Sequence, residues 1–159
     1  IFSKYSMPVL ALIMIFLASS YRDSFYFRQL DKVLTGRIRL GNKGIIEYGF
    51  SLFGNHTLWE TGRQGIERSG DYFYVDSSFL QILLTYGIII LLLVILGFMY
   101  ISIQAFNEKN YYLCVAIMLL ALHGFTDPQL FDIRYNPLLL MFGSIILGNI
   151  RPIINPDNW

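Results

Sequence analysis

Charge is scarce in this sequence. Asp, Glu, Lys and Arg make up 14% of its 159 residues, where a soluble domain carries about a quarter. The shortage is also concentrated. Tyr5 to Tyr21, Ser77 to Asn107 and Tyr135 to Ile150 hold no charged residue, and Asn110 to Thr126 holds only His123. Charges are excluded from hydrocarbon in this way, which argues against a soluble globular fold. The single cysteine, Cys114, rules out an internal disulfide, and its apolar neighbours make it a small buried hydrophobe. A net charge of +1 gives no electrostatic reason to expect a nucleic-acid partner. Glycine-rich phosphate loops, HExxH or DxD metal spacings and a GxSxG nucleophile elbow are absent, so neither a cofactor nor a metal is expected.

What is present is four apolar runs. About 20 apolar residues are needed to cross roughly 30 Å of hydrocarbon, and 79–103 meets that length. The runs 5–20, 111–125 and 135–150 are shorter, but tyrosines at or near their ends suit the interfacial aromatic belt. The expected fold is therefore an all-α integral membrane protein with about four transmembrane helices. Residues 1–159 read as one membrane domain. The first run has no small-residue cleavage site, so it reads as a mid-protein helix, and the chain as the C-terminal part of a longer polytopic protein.

Eight of the twelve basic and seven of the eleven acidic residues fall between Arg22 and Asp76. The polar segment 21–78 that contains them is too long for a plain connector. Short helices or strands are expected at 29–34 and 45–53, among the glycines Gly36, Gly41, Gly44, Gly49 and Gly54. Lys4, Lys109 and Arg151 are expected on the cytoplasmic side, which makes 21–78 an extracytoplasmic loop lying over the membrane.

The candidate chemistry lies in that loop. Arg37 and Arg39 follow Gly36, and Arg63 and Arg68 form a second pair. A guanidinium fork suits phosphate, although solvated pairing with Glu47, Glu60, Glu67 or Asp71 explains most arginines of this kind. His56 is a candidate proton acceptor, against the plainer role of an exposed loop residue. Asp76 or Ser77 fits the N-cap of the long helix, but Asp76 also stands at the water–membrane boundary, where a carboxylate can take a hydroxyl proton. Asp127, ahead of Pro128 and near His123, reads mainly as a turn former.

The order of Leu34-Thr-Gly-Arg37, Gly49-Phe-Ser-Leu-Phe-Gly54, Val75-Asp-Ser-Ser-Phe-Leu-Gln-Ile-Leu-Leu-Thr-Tyr-Gly87, Thr126-Asp-Pro and Tyr135-Asn-Pro-Leu-Leu resembles the C-terminal part of Wzy-type polysaccharide polymerases, closest to those of capsule and exopolysaccharide clusters. The resemblance implies a metal-independent glycosyltransferase in the cell membrane. It would join oligosaccharide repeat units carried on undecaprenyl diphosphate, working within the lipid bilayer beside flippase and chain-length regulator proteins. Arg37, Arg39, Arg63 and Arg68 would then bind the substrate, with Asp76 and His56 as catalytic candidates. The related O-antigen ligases carry a His-Asn pair where Asp76-Ser77 stands here, and the missing histidine favours polymerase over ligase. A transporter or flippase segment is the main alternative, but it would more often place charges at the membrane midplane. A non-catalytic sensor or assembly protein would not require clustered arginines.

Overall fold

The computed structural model describes residues 2–58, 73–141 and 143. Among these residues the chain is all-helical, as expected. A 3-10 turn, Phe2–Tyr5, leads into α1 (Ser6–Ser19); α2 (Phe25–Val33), α3 (Arg37–Tyr48), α4 (Ser78–Asn107) and α5 (Tyr111–Thr126) follow, with short 3-10 turns at Gln129–Phe131 and Pro137–Leu139.

Helices α1, α4 and α5 form an antiparallel bundle. Met7, Ala11, Met14 and Ala18 recur every three to four residues along α1 and are all buried. They pack with Leu84, Leu91 and Phe98 of α4 and Ile117 and Ala121 of α5 in one core. Alanine at two of the four α1 positions lets the backbones approach closely. The opposite faces remain apolar and exposed: Leu12 and Phe16 on α1, Leu92, Leu93 and Leu96 on α4, and Val115, Leu119 and Leu122 on α5. Helix α4 is long and apolar enough to cross a membrane, while α1 and α5 are shorter apolar helices.

The ends of these helices match their local chemistry. Asn110 caps α5 by accepting from the Leu113 N–H at 3.1 Å. Lys109 adopts the left-handed conformation that ends α4, so the connector reverses within three residues. Lys4 Nζ lies 3.8 Å from the centre of the Phe106 ring, which puts the start of the chain at the same end of the bundle as the α4–α5 connector.

Segment 21–78 is not a loop throughout. Helices α2 and α3 occupy much of it, both starting earlier than the expected positions at 29–34 and 45–53. Gly41 lies against Leu80 and Ala18, and Gly44 against Leu84 and Val75, leaving no room for side chains between α3 and the bundle. Asn42 Nδ2 donates to the Ala18 carbonyl at 2.8 Å and fixes α3 across the end of α1.

Helix α4 carries a break that the charge-free run did not reveal. Gly87 has φ 89° and ψ 176°, a conformation essentially restricted to glycine. Residues 50–58 strap across this break. The N–H groups of Ile88 and Ile89 donate to the carbonyls of Ser51 and Leu52, at 2.9 and 3.3 Å. The Leu84 carbonyl accepts from Asn55 N–H and Nδ2, at 3.0 and 3.3 Å. Backbone groups released by the break are thus bonded again, which buried irregular backbone requires. The expected helix 135–150 begins as a turn at Tyr135, and helix appears only from Leu140. Its remainder, apart from Met141 and Gly143, lies outside the described residues.

Candidate functional site

Three of the sequence motifs meet at the start of α4. Ser78 Oγ donates to the Asp127 carbonyl and accepts from the Leu130 N–H at 3.0 Å. Asn136, itself buried, donates through Nδ2 to the Leu130 carbonyl at 2.7 Å. The Thr126-Asp-Pro and Tyr135-Asn-Pro segments are therefore both tied to the residues that follow Asp76. Ser77 is the N-cap by position, yet its hydroxyl donates to the Gly124 carbonyl at 3.5 Å instead of capping α4.

Asp76 makes no side-chain hydrogen bond among the described residues and does not cap the helix. Burial raises its carboxyl above the ordinary range; the Arg37 guanidinium opposes that shift, and the Asp127 carboxylate adds to it. Asp76 thus lies close enough to both Arg37 and Asp127 to sense their charges. Two atoms of this group, Arg37 Nε and Asp127 Oδ1, are shielded from solvent and have no hydrogen-bond partner among the described residues. One is a donor and the other an acceptor. Shielded polar atoms left unpaired cost about 1–3 kcal/mol each.

Arg37 is the first residue of α3, after a turn in which Thr35 and Gly36 both have positive φ. Its Nη1 bonds back to Thr35 Oγ1 and to the Leu34 carbonyl, the latter at 3.4 Å, so the guanidinium is held in place. Arg39 points elsewhere, because residues two apart on a helix do not share a face. Its Nε lies 3.9 Å from Asp31 Oδ2, while its backbone N–H donates to Asp31 Oδ1 at 3.0 Å. Asp31 therefore pins the first turn of α3, which accounts for Arg39 structurally. His56 is exposed on the strap. Arg63 and Arg68 lie outside the described residues.

The site thus brings together Arg37 and Asp76 from the expected set and adds Asp127. The available signal for Asp127 was an acidic residue directly after an apolar run, a position where ionisable groups are costly. Below the site, an apolar groove of about 400 Å³ runs along α1 and α4 from Phe50 and Leu83 past Leu91 to Met99. No group of three or more metal-ligating side chains occurs among the described residues. No protein-family model matches the chain, and neither a curated protein nor a solved structure is detectably similar to it.

Proposed function

We propose that this chain is the C-terminal part of a multi-pass membrane enzyme that polymerises lipid-linked oligosaccharide repeat units, acting at the outer face of the cytoplasmic membrane. The observation that carries the reading is the cluster of Arg37, Asp76 and Asp127 above a charge-free helical bundle. The membrane part rests on the belt of exposed leucine, isoleucine and phenylalanine shared by three helices. In the most apolar stretch of α4, 44% is buried within the protein, and exposed apolar patches of this extent mark a nonaqueous neighbour. The second half of α4, residues 88–107, is itself 20 residues long, about 30 Å at 1.5 Å per residue.

The chemistry follows from the charged groups around Asp76. A sugar hydroxyl donates to the Asp76 carboxylate, and a phosphate oxygen accepts from the Arg37 guanidinium. The hydroxyl oxygen bonds to the anomeric carbon of the growing glycan as the carbon–oxygen bond to the lipid diphosphate breaks. The bonding electrons leave with the undecaprenyl diphosphate, and Asp76 takes the proton. A carboxylate whose proton affinity is raised by burial is a stronger base than one in water. One guanidinium beside two carboxylates is better matched to the attacking hydroxyl than to a diphosphate alone, so Arg37 also serves to hold Asp76 ionised. The apolar groove below offers room for part of a lipid chain.

A broken helix is also a transporter feature, where free half-helix ends bind substrate. Here the freed groups at Gly87 are taken up by Ser51, Leu52 and Asn55, which favours the enzyme reading. The test is glycan produced by cells carrying Asp76→Asn in the full-length protein at matched membrane levels. Single lipid-linked repeat units should accumulate and polymer should disappear. Polymer at the parental yield would overturn the reading.

A further inference from the structure

Segment 25–58 exposes large apolar side chains where a water-facing loop would present polar ones. On α2, Tyr26, Leu30 and Val33 are 84%, 40% and 78% exposed. Their spacing of four and then three residues places them on one stripe at 100° per residue. Phe27, Asp31 and Leu34 form a second side, which is half-buried or buried and faces the protein. Arg28 and Lys32, both exposed, form a third side roughly opposite the apolar stripe, which they share with the exposed Phe25 at the start of the helix. A helix with one docked, one charged and one unburied apolar side is built for a boundary between water and oil.

The strap supplies an independent measure of depth. Phe53 is 82% exposed, and its neighbour Leu52 bonds through its carbonyl to the N–H of Ile89. That bond fixes both residues at the level of Gly87, where the charge-free 88–107 half of α4 begins. Phe53 therefore stands at the rim of the apolar belt.

We infer that α2 and the strap lie in the interfacial layer of the lipid bilayer, with Tyr26, Leu30, Val33, Leu52 and Phe53 at the boundary between headgroups and acyl chains. Arg28 and Lys32 face the water above. The occupant of this surface is lipid. The inference rests on the membrane reading given above and adds that the segment holding Arg37 is sunk into the membrane surface. It sets the site at the height of a lipid headgroup.

Nitroxide labelling of the full-length protein in liposomes tests this. Single cysteines are placed at Val33, Phe53, Lys32 and Leu93 in a Cys114→Ala background, and collisions with oxygen are compared with those of a water-soluble nickel chelate. Val33 and Phe53 should favour oxygen several-fold, as should Leu93 in the apolar belt, while Lys32 should favour nickel. Nickel excess at Val33 and Phe53 with oxygen excess at Leu93 overturns the inference and spares the membrane reading. Nickel excess at Leu93 as well overturns both. Protection from both reagents at Val33 and Phe53 shows a protein cover and also overturns it.

Discussion

Asp76, the proposed base, behaves differently on titration from a carboxylate that is held by hydrogen bonds. Its raised affinity for a proton means that the folded state holds the proton at pH values where the unfolded chain has lost it. Stability from this residue is therefore greatest at low pH and declines as pH rises from the ordinary carboxylate range through its folded value. Asp76→Asn should accordingly leave neutral-pH thermal stability unchanged or higher while polymer formation is lost, as melting in detergent alongside glycan gels would show. The acid limb of activity should move down in pH with Asp127→Asn, which removes a neighbouring negative charge, and up with Arg37→Gln. Asp31 makes the contrasting case. Asp31→Ala removes the acceptor for the Arg39 N–H and should destabilise by about 1 kcal/mol, whereas Arg39→Gln should change neither stability nor activity measurably. Arg37 and Asp76 were legible in the sequence as charges beside a glycine turn and at a helix start. Asp127 was visible only as a turn residue, because Ser78 joins it to the site across 49 positions and no local pattern encodes that meeting.

At the level of elements, apolar length located α1, α4 and α5 to within a few residues, since a long run without charge leaves little alternative to helix. Helices α2 and α3 were hidden by interspersed charges, and by apolar residues that serve two different surfaces. The break at Gly87 was hidden more deeply: one glycine in a helical pattern reads as a tolerated flaw. Its function becomes clear only from the strap. A Cβ on Gly54 would overlap the backbone of Thr85, and one on Gly87 would overlap that of Leu52 and Gly54. Gly36 also has positive φ but has open space around it. Gly36→Ala should therefore cost about 1–2 kcal/mol, whereas Gly54→Ala and Gly87→Ala should each cost more than that and reduce folded protein in the membrane. Size-exclusion profiles of fluorescent fusions would rank the three, and equal behaviour would remove the strap from the account of stability.

For the whole molecule, the antiparallel bundle separates two ends. One holds Lys4 and the α4–α5 connector with Lys109; the other holds the close of α1, the start of α4 and the Arg37–Asp76–Asp127 group. The proposed orientation gives a direct expectation. In intact cells, a membrane-impermeant thiol reagent should label His56→Cys and should reach Lys109→Cys only after permeabilisation. The reverse pattern would invert the topology. The partition of charge along the chain made the two ends legible, because among the described residues all the charged side chains except Lys4, Glu108 and Lys109 collect at one of them. The strap has a further consequence, for biogenesis. Residue 54 leaves the ribosome 33 positions ahead of residue 87, which at 5–20 residues per second is on the order of seconds. The partners for the interrupted helix are therefore synthesised before the interruption itself. On the proposed topology they have already crossed the bilayer when α4 enters it, so a nascent chain finds its template waiting on the far side.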